Sequence, residues 1–166
     1  DCVRLIIVST SVFPNLFSRL GISTTELNSH ANPMKSCVSR EEDAQAIVQL
    51  STIVRSLNAD VGFRLNPACE KMTVVDEDGI PLDNQTLLLL LSELFLETRR
   101  PAKIAVPVSA SMGVEEVAAR YKADVERVPN DHQAMMDIHR SGHVEFVGGT
   151  RGGFILSRFQ RGADAM

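Results

Sequence analysis

The chain has 166 residues, enough for one medium domain or two small ones, and its 44% apolar and 23% charged residues are ordinary for a globular protein. A net charge of −4, with no Lys/Arg block and only seven phenylalanines and one tyrosine as aromatics, excludes the electrostatic footprint of a nucleic-acid binder. Three cysteines (Cys2, Cys37 and Cys69), odd in number and without CxxC spacing, argue against a disulfide framework and for a reducing, cytoplasmic compartment.

Strands and helices are expected to alternate. "RLIIVST" (Arg4–Thr10) is an apolar run suited to a buried strand, and "VFPNLFSRL" to a short helix that stops at Gly21. "ISTTELN" is β-branched and alternating, hence a strand. After a polar loop, "REEDAQAIVQLSTIVRSL" places Ala44, Ile47, Leu50, Ile53, Val54 and Leu57 at helical spacing, with Ser39 and Glu42 forming a capping box at its start. "ADVGFRLNPACEKMTVVDEDG" (Ala59–Gly79) reads as strand, six-residue loop, strand and turn, with Val61, Phe63 and Leu65 alternating in the first strand. "TLLLLLSELFLE" is interrupted by Ser92, Glu93 and Glu97 well short of the roughly 20 apolar residues of a membrane span. It belongs to a buried helix over Asp83–Arg99, capped by Asp83, and neither membrane nor nucleic acid is expected as a partner.

Past Pro101 the pattern restarts. "KIAVPV" is a strand, "SMGVEEVAARYKA" a helix with Ser111 near its start, and "DVERV" a strand. "DHQAMMDIHRSG" follows as a helix, then "HVEFVGG" and "FILSRF" as strands around a Gly-rich turn. "RLIIVSTSVFPNLFSRLGISTTEL" and "KIAVPVSASMGVEEVAARYKADVERV" share the order strand, Ser-containing turn, helix, small residue, strand. Two α/β sandwich domains with mostly parallel sheets are expected, residues 1–98 and 99–166, joined near Thr98–Pro101. A start without Met, almost directly in a strand, and an ending at "GADAM" suggest a piece of a longer protein whose other domains are partners.

"RLG" (Arg19–Gly21), "ADVG" (Ala59–Gly62), "VVDEDG" (Val74–Gly79) and "VGGTRGGF" (Val147–Phe154) occur in an order that resembles the second and third domains of the α-D-phosphohexomutases, the phosphomannomutase/phosphoglucomutase family. The resemblance implies a loop after "ADVG" whose alternating aspartates bind Mg²⁺, and a "GE.SGG" turn whose Glu and Ser bond sugar hydroxyls. Aligned without gaps, the three metal positions are Asn66, Ala68 and Glu70, and the family's arginine is Lys71. Pro67 and Cys69 stand where the family has glycines. Thr150 and Arg151 stand where the Glu and Ser would be, in a turn one residue shorter. The stretch "VPNDHQAMM" lacks the basic residue and glycine of the family's substrate loop. These departures imply no metal cofactor and no catalytic residue in this chain.

The family's catalytic serine belongs to a domain the chain does not contain. "NSHANP" (Asn28–Pro33) only superficially resembles that serine motif, because it follows a second-domain strand. The expected function is a non-catalytic module with a structural or regulatory role, similar to mutase-like regions fused behind mannose-1-phosphate guanylyltransferase-like domains. One alternative is an active phosphohexomutase with an atypical metal loop, which would need Mg²⁺. Another is a small-ligand or protein-interaction module that shares only the architecture. Thr150 and Arg151 are the candidate contacts for a sugar phosphate, with Arg151 able to fork onto phosphate oxygens above a backbone nest. Read more simply, the glycines make a tight turn and Arg151 sits in solvent. His139 and His143 are spaced as zinc ligands on a helix would be, but Gly142 ends the helix between them and no third ligand is evident. Cys69 has no histidine-centred arrangement that would make it a nucleophile.

Overall fold

The structure is a computed structural model that describes residues 4–8, 13–27, 39–66, 70–99 and 102–157. In it the chain forms two compact units. The first comprises Asp1–Ala68 and Met72–Leu82, and the second Asp83–Met166 together with the short segment Cys69–Lys71.

In the first unit β1 (Arg4–Val8), α1 (Phe13–Arg19), β2 (Ser23–Glu26), α2 (Arg40–Leu57), β3 (Val61–Leu65) and β4 (Met72–Val75) follow in chain order. They build a four-stranded sheet of order β2-β1-β3-β4. β1 pairs parallel with β2 and β3, and β4 closes the edge antiparallel to β3. The α2 capping box forms as expected: the Glu42 amide donates to Ser39 Oγ (3.1 Å) and the Ser39 amide to Glu42 Oε2 (3.0 Å). Leu50 and Val54 of α2 join Ala59 and Val75 in the core, with Leu27 and Ile53 packed against them. The expected core positions Ala44 and Leu57 are exposed.

Burial along β3 differs from the simple alternation. Gly62, Arg64 and Leu65 are buried, whereas Val61 and Phe63 are half-buried. The cause is α2, which lies on the 62/64 face. A Cβ on Gly62 would come within 2.6 Å of Val54 Cγ2, so the helix approaches as closely as it does only over a glycine. Arg64, 7% exposed, reaches Asp43 in the first turn of α2 and forms an ion pair with it. After β4, Asp76 Oδ1 accepts from the Ile80 amide (2.7 Å), and Gly79 turns the chain at φ +73°, close under Ser51 O. This accounts for "VVDEDG".

The second unit contains α3 (Asn84–Thr98), β5 (Lys103–Pro107), α4 (Gly113–Tyr121), β6 (Asp124–Val128), α5 (His132–Arg140), β7 (Phe146–Gly148) and β8 (Phe154–Leu156). Its sheet, β6-β5-β7-β8, repeats the topology of the first: β5 is parallel to β6 and β7, and β8 is antiparallel to β7. β1 and β5 therefore lie in separate sheets, as the internal similarity requires. Asp83 caps α3, its carboxylate accepting from the Gln85 and Thr86 amides and the Thr86 hydroxyl, and the Thr86 hydroxyl bond is the main cause of a lowered Asp83 pKa.

The sequence reading places α3 at the end of the first domain, but the helix packs with the second unit. Phe95 stacks on Phe146 (5.3 Å between ring centroids), which stacks in turn on Phe154 (6.1 Å). Leu88 covers Gly148 so closely that an added Cβ would collide with it. The next residue, Gly149, faces Met135 of α5, so α3 and α5 cover opposite faces of the sheet. On the α5 face Met135, Met136 and Ile138 pack on Ala105, Val128, Val144, Val147 and Ile155. Among the described residues no helix is long and apolar enough to cross a membrane.

One side chain fixes the β5–α4 connection. Arg127 on β6 donates from Nε and Nη2 to the two Glu115 oxygens (2.7 Å each), from Nη1 to the Pro107 and Ala110 carbonyls (3.0 and 2.7 Å), and from Nη2 to the Ser111 carbonyl (3.2 Å). Gln85 of α3 holds the same loop from the other side, bonding the Ser109 carbonyl and the Ser111 amide.

The Glu115 carboxyl is held below its ordinary pKa, chiefly by the Arg127 hydrogen bonds, with burial opposing. Its contribution to stability is therefore complete above the unfolded carboxylate pKa of about 4.3, and is lost as pH falls through the lower folded value. Glu115→Gln should cost about 1–2 kcal/mol at pH 7, less than a fully buried pair because the carboxylate is partly solvated. Urea titrations should show the gap between wild type and variant closing as pH is lowered to 2. A gap that persists at low pH would contradict the assignment.

Candidate functional site

In each sheet the chain leaves the central strand toward one neighbour (β2 or β6) and returns to pair on the other side (β3 or β7). Strand order reverses there, and the carboxyl ends of strands at such a reversal border the crevice in which α/β sheets bind ligands. The loop after β3 (66–71) and the turn after β7 (149–153) both start from that edge, and each leads into the antiparallel edge strand.

In the second unit the turn is tightly drawn. The Gly149 amide donates to the Gly153 carbonyl (2.9 Å), and a Cβ on Gly149 would sit 2.7 Å from that oxygen. Gly152 has φ +78°, a conformation that side chains disfavour. The glycines thus have backbone reasons of their own, and Thr150 (half-buried) and Arg151 (exposed) project from the turn. Beside it, Asp131 caps α5 by accepting from the Ala134 amide (2.8 Å), which sets Asn130 and His132 at the helix start.

These elements surround an open cleft of about 580 Å³, with Asn130, Asp131 and His132 on one wall, Thr150 and Arg151 on another, and Met135 and Ile155 among its apolar residues. Glu70 and Lys71, from the segment grouped with this unit, also border it.

Of the expected site residues, Glu70, Lys71, Thr150 and Arg151 therefore meet at one cleft. Asn66 is half-buried just past β3 and is not among the residues bordering it. Ala68, Cys69 and the "NSHANP" stretch lie outside the described residues. Three residues of "VPNDHQAMM" that the sequence pattern does not single out, Asn130, Asp131 and His132, border the cleft. The available signal was Asp131, an N-cap residue directly before a helical run. His139 and His143 do not converge on a ligand. His139 is buried with Nδ1 2.9 Å from Ser157 Oγ, whose own proton goes to the Val144 carbonyl, so Nδ1 carries the imidazole proton. His143 is exposed beyond Gly142.

The metal implied by the resemblance does not fit the donors present. Mg²⁺ demands near-octahedral oxygen ligation. Asn66 offers a neutral amide, Ala68 no side-chain ligand atom, and Glu70 a single exposed carboxylate. Pro67 also fixes φ within the loop. Calorimetric titration with Mg²⁺ or Mn²⁺ should accordingly show no site of micromolar affinity. Such a site, lost in Glu70→Ala, would overturn this assessment.

No protein-family model matches the chain. Curated proteins do. The phosphoglucosamine mutase of Methanococcus vannielii is 26% identical over 149 residues, covering 87% of this chain and 33% of the relative. That of Campylobacter fetus subsp. fetus is 26% identical over 157 residues, covering 93% and 35%. The chain thus spans about a third of the length of the curated relatives it matches. Among solved structures, a phosphoglucomutase/phosphomannomutase family protein from Burkholderia thailandensis superposes with a TM-score of 0.78 at 18% identity, over 99% of this chain and 38% of that one. At that identity the likeness is one of fold. The two repeated α/β units are of the phosphoglucomutase type, and the chain's sequence relatives and structural neighbours are members of the α-D-phosphohexomutase superfamily.

Proposed function

We propose that the chain is a phosphohexomutase-like module that does not turn over sugar phosphates and has a structural or regulatory role within a longer protein. The observation that carries this reading is a contrast. The elements that build the fold are intact: the α2 capping box, the Asp83 cap, the Asp76–Ile80 turn and the close-packed glycines Gly62 and Gly148. The residues aligned with the chemistry are changed, with Asn66, Ala68 and Glu70 at the metal positions and Thr150–Arg151 in the sugar-contacting turn. Losing one group that stabilises developing charge typically costs about 3–4 kcal/mol of transition-state stabilisation, and here several are altered together. A setting in sugar-nucleotide metabolism, behind a mannose-1-phosphate guanylyltransferase-like domain, is part of the proposal and rests on the sequence resemblance alone.

The test is an isomerisation assay on the parent protein with mannose 1-phosphate or glucose 1-phosphate, a bisphosphate activator and Mg²⁺. No turnover is expected, while deletion of the module should reduce stability or assembly of the parent. Isomerisation that disappears in a Glu70→Ala, Lys71→Ala variant would refute the reading.

A further inference from the structure

We infer that the cleft between the 149–153 turn and the start of α5 binds a zwitterion, a free α-amino acid with an apolar side chain, whose carboxylate meets Arg151 and whose ammonium meets Asp131. The binding follows from the cleft itself; only its regulatory sense rests on the reading above, in which the module does not turn over sugar phosphates.

The charges bordering the cleft come in equal numbers: two carboxylates, Glu70 and Asp131, stand against two cations, Lys71 and Arg151. At Arg151 and Asp131 the charge is unspent. Arg151 holds five N–H donors in a planar fork and has no acceptor as partner among the described residues. Asp131 gives one carboxylate oxygen to the Ala134 amide, and its other oxygen has no partner among the described residues. The two side chains border the same cleft without forming an ion pair with each other. A ligand of one sign would satisfy one of them and be repelled by the other. A phosphoryl group would bring about −1.5 to −2 charges to a wall whose own charges sum to zero. A molecule that carries both signs can lie between the two side chains and answer each.

The remaining surfaces match the two ends and the side chain of an α-amino acid. A guanidinium fork bonds a carboxylate with two parallel hydrogen bonds. The amides of residues 150–152 have no backbone acceptor among the described residues, and left-handed Gly152 draws them into a turn of the kind that receives anions. At the other end, the full charge of Asp131 exceeds the roughly +0.5 charge of the α5 start that it caps, so the local field still favours an ammonium. Met135 and Ile155 supply an apolar wall, and a methionine adapts its shape to what packs on it. A volume of about 580 Å³ is within the range of small-molecule sites and holds an amino acid together with hydrating water. The C-terminus of a peptide would use Arg151 and leave Asp131 unanswered, and a simple amine would do the reverse.

Calorimetry and heteronuclear NMR on the full 166-residue chain test this with leucine and with relatives that each lack one feature. N-acetyl-leucine has no ammonium, 3-methylbutylamine no carboxylate, and glycine no apolar side chain. Leucine should bind saturably and shift the amide signals of residues 130–132 and 149–153. Each relative should bind at least about 10-fold more weakly, equivalent to about 1.4 kcal/mol. Arg151→Ala should weaken leucine to a similar degree and leave 3-methylbutylamine unchanged. Asp131→Asn, which keeps a capping oxygen for α5, should weaken leucine and leave N-acetyl-leucine no weaker. Both side chains are exposed, so the urea midpoints of the variants should stay close to wild type, which separates lost binding from lost fold. Absence of saturable leucine binding, equal binding of any of the three relatives, or undiminished leucine binding by either variant would overturn the inference. Tighter binding of glucosamine 6-phosphate than of leucine would also overturn it and give the cleft to amino-sugar phosphates. Isomerase activity of the parent would refute the non-catalytic reading and leave amino-acid binding that depends on Arg151 and Asp131 standing.

Discussion

The structure depends on one topological constraint, applied twice. A β-strand connected through a helix to a parallel neighbour takes a right-handed crossover. When the chain first moves to one side of the central strand and then to the other, the same handedness puts the successive helices on opposite faces. In the second unit α4 makes the first crossover and α5 the second; α3 lies beside α4, joined by the Arg120–Glu93 ion pair, and covers Gly148 through Leu88, whereas Met135 of α5 faces Gly149. Strands covered on both faces must be apolar along their length, as Ile104, Ala105 and Val106 are, and polar groups are driven to the strand ends. The carboxyl edge is thereby the one place where a loop can present chemistry without disturbing the core.

Charge that does enter the interior is used to hold elements together. Arg64 ties β3 to the first turn of α2 through Asp43, and Arg127 ties β6 to the β5–α4 loop through Glu115 and three carbonyls. Guanidinium suits this work because its donors point in fixed directions and can satisfy carbonyls that no strand or helix partner reaches. The two arginines fix the beginnings of helices, and the beginnings of helices border the functional edge. The site is in this sense built on a rigid frame.

Much of the architecture could be read from local chemistry. Ser39 with Glu42, Asp83 before its helix, and Gly21, Gly79 and Gly142 at positive φ each announce their position through short-range rules. What escaped was long-range. Nothing near Arg64 or Arg127 in sequence shows that Asp43 and Glu115 will meet them, and a strand position holding arginine reads as solvent-facing by default. α3 is apolar around nearly its whole circumference, so no stripe indicates which sheet it will cover. The borders of the cleft were legible where resemblance and glycines marked them, at Glu70 and Lys71 and in the 149–153 turn. It was illegible at Asn130 and His132, whose relevance arises only from the turn folded beside them.

The edge hairpins carry a consequence of their own. In both units the loop at the strand reversal is clamped by an antiparallel pair, Leu65 opposite Met72 and Gly148 opposite Phe154. In a loop anchored at both ends, positions without a backbone constraint of the kind Gly149 and Gly152 carry are free to change at small cost to folding. Carboxylates crowded onto such a loop repel one another until a cation joins them, a local energetic conflict that only the ion resolves. The side chains of Asn66, Ala68 and Glu70 together carry a single formal charge, so no such conflict is written into this loop.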